Sequence, residues 1–299
     1  MFERTHEEKG KKMNWIIISV LAGIFYAFMI LGITYLTKIK RLSVISVNFQ
    51  YLPIIFFFLI PIIFLLEGGI VIPGLKTLTI LITAGGLSFL GNLTLVKAIK
   101  TAPNPGYANA IASSRILIAM LGSVLLIGAK FDILSAIGVI LIFLGIGLLQ
   151  KIKNITRDFN GSSWKKMSLL SAVSLGLMII LVSYSVKLVS SLTVNFYVIG
   201  IISLLFFLLA LKRKEKIVTS RTTAVILIMT AIFGLLGNVL LFHAYSITPN
   251  PGYANAISSI RMIGALFLSY LILRRKVELE ITGVVGVLMI FTGIIVLSL

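Results

Sequence analysis

The stretch Pro103-Asn104-Pro105-Gly106-Tyr107-Ala108-Asn109-Ala110-Ile111-Ala112-Ser113-Ser114-Arg115 occurs twice in this chain. Its second copy is Pro249-Asn250-Pro251-Gly252-Tyr253-Ala254-Asn255-Ala256-Ile257-Ser258-Ser259-Ile260-Arg261, displaced by 146 positions. The same offset pairs Gly91-Asn92 with Gly237-Asn238, Leu95 with Leu241 and Ala98 with Ala244. Of the 25 positions from Gly91 to Arg115, 15 are identical in the second copy. A fixed offset near half the chain length implies two homologous halves, which constrains the fold before any helix or strand is assigned. Each copy ends on an arginine set inside an otherwise apolar run.

Those apolar runs dominate the chain. Hydrophobic residues make up 59% and charged residues 12%, about half the usual charged share of ~25%. No soluble core absorbs so much apolar surface, so the bulk of the chain belongs in lipid. The nine acidic residues (Glu3, Glu7, Glu8, Glu67, Asp132, Asp158, Glu215, Glu278 and Glu280) all lie at the ends of apolar runs or between them. The net charge of +18 comes from Lys and Arg scattered over short loops, a pattern that encodes topology rather than nucleic-acid binding. Cysteine is absent, which excludes disulfides and thiolate metal sites, and two histidines without acidic neighbours do not make a zinc site. No metal, cofactor or hydrolase constellation is expected, and the chain does not read as an enzyme. The first 13 residues are polar, and the apolar run after them exceeds a signal-peptide core, so it reads as a retained helix.

A membrane-spanning helix needs about 20 apolar residues. On that measure the sequence predicts an all-α membrane protein with ten transmembrane helices, near 14–37, 44–66, 77–99, 104–128, 133–150, 167–188, 194–211, 222–246, 250–273 and 280–298. A polar linker at 151–165 divides residues 1–150, an N-terminal five-helix repeat, from residues 166–299, a C-terminal one. Fainter matches extend the repeat: Tyr35-x-x-Lys38 with Tyr184-x-x-Lys187 at offset 149, and Val47-Asn48-Phe49 with Val194-Asn195-Phe196 at offset 147. Five is odd, so the two halves are expected to enter the membrane from opposite sides, as inverted repeats. Of the 27 Lys and Arg, 18 fall in loops on the linker side, seven on the other face and two inside the membrane. That excess predicts a cytoplasmic linker with both termini outside a plasma membrane.

Arg115 lies eleven residues into its helix, about 16 Å at ~1.5 Å per residue and hence near mid-depth; Arg261 reaches the same depth from the opposite side. A charge there costs about 2.5–3.5 kcal/mol on insertion scales and must face a cavity or a partner. Two readings stand: each guanidinium ties down carbonyls at the end of a broken helix, or it faces a substrate or gate. Tyr107 and Tyr253 fall in the first turn after the Asn-Pro-Gly reversal, as interface anchors or as gates. Asn109 with Ser113, and Asn255 with Ser259, share a helical face and either glue helices or touch ligand; Asn92 and Asn238 are judged alike. Lys38 and Lys187 either snorkel to the interface or line a cavity. His243 reads as a polar residue at a helix end. The glycines of the fifth and tenth helices, Gly138, Gly145 and Gly147 with Gly283, Gly286 and Gly293, read as packing faces or a dimer seam.

Ten helices in two inverted halves resemble the drug/metabolite transporter superfamily, specifically its EamA-like members. The resemblance rests on Ala98-Ile99 and Ala244-Tyr245 before the fourth and ninth helices, the lysines closing the first and sixth, and the glycine-rich fifth and tenth. Two features depart from that family. Arg115 and Arg261 stand where it commonly has a mid-helix proline, and its Gly-Glu at the end of those helices is replaced around Gly128-Ala129-Lys130 and Arg274-Arg275-Lys276. The resemblance implies a transporter that rocks one half against the other around a midplane cavity. Without a buried carboxylate a cation lacks a counter-ion, so an anionic or zwitterionic small metabolite is the expected substrate. The alternatives are a lipid or polyprenyl-phosphate translocase, or a non-transporting scaffold. The expected partners are the lipid bilayer and a small molecule, without nucleic acid, and the chain is a monomer or homodimer.

Overall fold

Helices form wherever the sequence carries an apolar run, and no strand occurs among the described residues. The computed structural model describes residues 2–101, 105–149, 163–215, 217, 220–264 and 281–298. Residues 151–162 of the expected linker and the loop 274–276 lie outside them, and helix begins within the expected linker, at Ser163. In chain order the helices are α1 (Phe2–Thr34), closed by a π turn at Tyr35–Ile39, α2 (Val44–Glu67), α3 (Leu75–Thr101), α4 (Pro105–Ala112), α5 (Arg115–Ile127), α6 (Ile133–Leu149), α7 (Ser163–Ser185), α8 (Ser191–Arg213), α9 (Arg221–Ile247), α10 (Pro251–Ile257) and α11 (Ile281–Ser298). Six of them carry stretches long and apolar enough to span a bilayer, and α5, α6 and α11 are shorter apolar helices.

Two outcomes differ from the expected spans. Helix α1 continues through the polar first 13 residues. That segment contains no proline, and Glu7 and Glu8 stand four residues before Lys11 and Lys12, a spacing that supports an isolated helix. The fourth and ninth runs are broken rather than continuous. Ser113 Oγ donates to the Asn109 carbonyl at 2.8 Å and Ser114 Oγ to the Ile111 carbonyl at 2.8 Å, which separates α4 from α5. In the second copy Ser258 Oγ and Ser259 Oγ both donate to the Asn255 carbonyl, at 2.9 and 3.1 Å, and the chain tightens into a 3-10 turn at Ser258–Ile260 before helix resumes at Arg261. Serine hydroxyls bonding back onto the preceding turn compete with the helical ladder and bend it.

Packing pairs each helix of one half with a helix of the other: α1 on α9, α3 on α7, α2 on α8, and α6 on α11. The contacts repeat at the sequence offsets. A side chain at Gly91 would meet Leu175, and one at Gly237 would meet Tyr26, which is Leu175 less 149. Likewise Gly176 lies against Ile118, while Gly264 lies against Ala27. Between α6 and α11 the glycines face one another inside the chain. A Cβ at Gly138 would stand 2.8 Å from the Gly293 carbonyl oxygen, and one at Gly145 would stand 2.7 Å from that of Gly286. These glycines are therefore an intramolecular packing face.

Candidate functional site

The serine breaks put both arginines at the start of a helical segment, buried, with 9% of Arg115 and 6% of Arg261 exposed. Among the described residues no hydrogen bond runs from either guanidinium to a backbone carbonyl. Arg261 instead donates from Nη1 to Ser258 Oγ at 3.1 Å and stacks over the Tyr26 ring, with its central carbon 5.6 Å from the ring centroid. Tyr26 is held in turn by its hydroxyl, which donates to Asn238 Oδ1 at 2.8 Å across the α1–α9 seam. Arg115 meets no hydrogen-bond or ion-pair partner among the described residues. Electrostatic interaction links it with Arg261, Tyr245 and Tyr26, and these four side chains make up the candidate group. The acidic residues with described side chains (Glu67, Asp132 and Glu215) lie at or beyond helix ends.

This group draws elements from both halves: α1, α5, α9 and the helix resuming at Arg261. Its chemistry is a positive centre bordered by aromatic faces, hydroxyls and one carboxamide. A guanidinium presents five N–H donors in a planar fork that suits carboxylate or phosphate. An unpaired one in a water-poor interior is costly unless a ligand completes it. On the same seam, about two to three turns from Tyr26 toward the start of α1, a cleft of about 420 Å³ is lined by Asn14, Ile17, Ile18, His243 and Ile247.

The other sequence candidates distribute unevenly. Asn238 belongs to the group through Tyr26, whereas its repeat mate Asn92 donates within its own helix to the Ser88 carbonyl at 2.8 Å. Asn255 is buried in α10 and its Nδ2 has no partner, while Asn109 is half-buried. The i,i+4 pairs do meet, but through serine hydroxyl and asparagine backbone carbonyl rather than through the carboxamide. Tyr253 is buried, and its hydroxyl oxygen accepts from the Asp132 backbone N–H at 3.2 Å, tying α10 to α6. Beside it, Asn250 caps α10 through Gly252 N–H and reaches the Met120 and Lys130 carbonyls, both at 3.3 Å. Lys187 is exposed in the turn after α7, and His243 is exposed on α9. The side chains of Tyr107 and Lys38 lie outside the described residues.

Tyr26, Tyr245 and Ser258 join the group although sequence reasoning did not select them. One signal was available. At each of these positions the repeat mates an aromatic or polar residue with an apolar one, as Tyr26 with Leu175, Tyr245 with Ile99 and Ser258 with Ala112.

Residues 163–299 match the model of the EamA-like transporter family. No curated protein matches the chain. A solved structure titled only "Crystal structure of protein" is similar at a TM-score of 0.73 and 14% identity, over 94% of this chain and 95% of that one. Its identity is low enough that the likeness concerns the fold alone.

Proposed function

We propose, from the premise that this chain is an EamA-like transporter by the match of its C-terminal half, that it carries a small anionic metabolite across a membrane. The observation that supports this reading is Arg115, buried beside Arg261 without a partner among the described residues. Two guanidiniums without a carboxylate repel cations and each other. An entering anion relieves both effects, and charge-assisted hydrogen bonds to it are about twice as strong as neutral ones.

The mechanism that fits is alternating access between inverted repeats. Equivalent helices that touch should run antiparallel if one half is inverted. Gly138 opposite Gly293 and Gly145 opposite Gly286 give an antiparallel α6–α11 pair. The end of α2 meets the start of α8, where Ser190 Oγ and Thr193 Oγ1 donate to Glu67 Oε2 at 2.7 and 3.2 Å. The group around Arg115 then lies on the axis about which one half rocks against the other. Tyr253 on Asp132, Asn250 on α5 and Glu67 on α8 close the opposite end from the linker, which places them outside in the expected topology.

The test is uptake by proteoliposomes of purified protein, with succinate, inorganic phosphate, neutral amino acids and choline as labelled substrates. The expected result is saturable uptake of an anion, lost in Arg115→Gln. Uptake of choline, or anion uptake unchanged when both arginines are replaced by Gln, would overturn the reading.

A further inference from the structure

The two arginines occupy equivalent positions of the repeat, yet their surroundings have diverged. Around Arg261 stand the Tyr26 ring, the Ser258 hydroxyl and an Asn238 that holds Tyr26 in place. The residues equivalent to these around Arg115 are Leu175, Ala112 and an Asn92 that bonds back to its own helix. The contacts themselves are conserved between the halves, since Leu175 lies on Gly91 as Tyr26 lies on Gly237. Only the chemistry differs. Arg261 has a flat face to rest on and an oxygen to bond, whereas at the equivalent positions of the repeat the sequence carries apolar Leu175 and Ala112.

We propose that Arg115 is the residue that takes the anionic group of the substrate, and that Arg261 is a positioning residue, fixed by Tyr26 and Ser258, whose charge draws the anion to its neighbour. This rests on the anion-carrier reading above. A ring face and a hydroxyl orient a guanidinium without neutralising it, so Arg261 keeps its full charge while its plane and one of its five donors are engaged. Arg115 keeps all its donors uncommitted, so for Arg115 a bidentate carboxylate or phosphate replaces nothing and completes everything. The substrate's anionic end therefore sits against α5 and α7, with Tyr245 of α9 and the edge of Tyr26 facing the rest of the molecule. The carrier is two-fold in fold and one-sided in chemistry, as an asymmetric small molecule requires.

The experiment uses the full chain in proteoliposomes with succinate and inorganic phosphate as probes. Arg115→Lys retains charge but loses the fork, and is expected to raise KM at least tenfold with the maximal rate within about threefold. Arg261→Lys is expected to leave KM within about threefold and to lower the maximal rate. The decisive variant is Ala112→Ser/Leu175→Tyr, which gives Arg115 the surroundings of Arg261 while leaving both arginines in place; it should raise KM about tenfold. A merely structural role for Arg115 would not produce that rise. A reversed pattern, with Arg261→Lys raising KM and Arg115→Lys near wild type, overturns the assignment but leaves the anion carrier standing. Wild-type protein that transports neither probe, or arginine variants that all behave as wild type, overturns both. Should Arg115→Lys fail to fold, phenylglyoxal labelling of wild-type protein read by peptide mass replaces it. Succinate or phosphate should protect Arg115 and leave labelling of Arg261 unchanged, and protection of Arg261 alone would refute the assignment.

Discussion

Gly293→Ala and Gly86→Ala add the same methyl group to a helix and should move stability in opposite directions. At Gly293 the new Cβ would stand 2.6 Å from the Gly138 carbonyl oxygen, 2.7 Å from Ile142 Cγ1 and 3.0 Å from the Ile142 nitrogen. Two of these atoms are helix backbone, so no side chain can swing away. Restoring an ordinary C···O contact of about 3.3 Å requires α6 and α11 to separate by roughly 0.7 Å. A gap of that size forfeits roughly a quarter to a half of each dispersion contact along the seam, and overpacking of this kind costs about 1–3 kcal/mol. Against this, alanine gains about 1 kcal/mol over glycine in helix propensity. The net expectation for Gly293→Ala is a loss of up to about 2 kcal/mol. Gly86 in α3 has nothing within 4 Å of its added Cβ, so only the propensity gain of up to about 1 kcal/mol remains there. The assay is the fraction of purified protein that stays monodisperse on size exclusion after heating, compared as ranked melting temperatures, because such proteins unfold irreversibly. Gly293→Ala melting at or above wild type would refute the seam geometry. Both variants melting higher would show that propensity outweighs packing here.

Other outcomes are as specific. Tyr26→Phe keeps the ring beneath Arg261 but strands Asn238 Oδ1, at a cost of about 1–3 kcal/mol; Tyr26→Phe/Asn238→Leu should recover most of it, and equal melting of single and double variants would refute the bond. Glu67→Ala frees Ser190 and Thr193 and should lower the melting temperature, whereas Glu67→Gln, which keeps an acceptor, should lower it less; the two are compared by the same heating assay. A cytoplasm-only reporter should be silent at Leu299 and active when inserted at Gly161, and the opposite pattern would reverse the orientation while sparing the repeat. Gly252→Ala would place a Cβ 2.5 Å from Met120 Cα, so it should reduce the yield of folded protein far more than the unobstructed substitution Gly86→Ala, and equal yields would refute that contact.

The placement of most helices was legible because lipid imposes a single rule, a run of about 20 apolar residues, and the chain obeys it in each half. The broken fourth and ninth helices were less legible. Both runs are apolar apart from a few asparagines, serines and one arginine each, and hydropathy does not distinguish a serine that bonds to solvent or a neighbour from one that bonds back to its own helix. The pairing Asn109 with Ser113 was visible at its spacing, but the bond runs to the backbone carbonyl, and it is this choice that cuts the helix just before Arg115. The first span was legible at 14–37, while the helix that carries it runs back to Phe2, because a polar segment ends a membrane span without ending a helix.

Of the candidate group, the sequence marked the two buried arginines but not the residues around Arg261, and the reason lies in how duplicated chains diverge. Identity between copies identified Arg115 and Arg261, because a costly buried charge kept twice requires a cause. Identity alone gives the two arginines equal weight and cannot say which of them binds. That information lies in positions where the copies disagree while their backbones still touch the same glycine, as Tyr26 and Leu175 do on Gly237 and Gly91. Before the fold is known such a mismatch is one substitution among many, and Tyr26 is one of nine tyrosines. Packing gives it a chemical meaning: the copy with tyrosine places a ring under its arginine, and the copy with leucine is the one proposed to leave its arginine to the ligand. A transporter built from two similar halves needs a difference of this kind, since with two equally open arginines an asymmetric substrate would have two competing poses in one cavity.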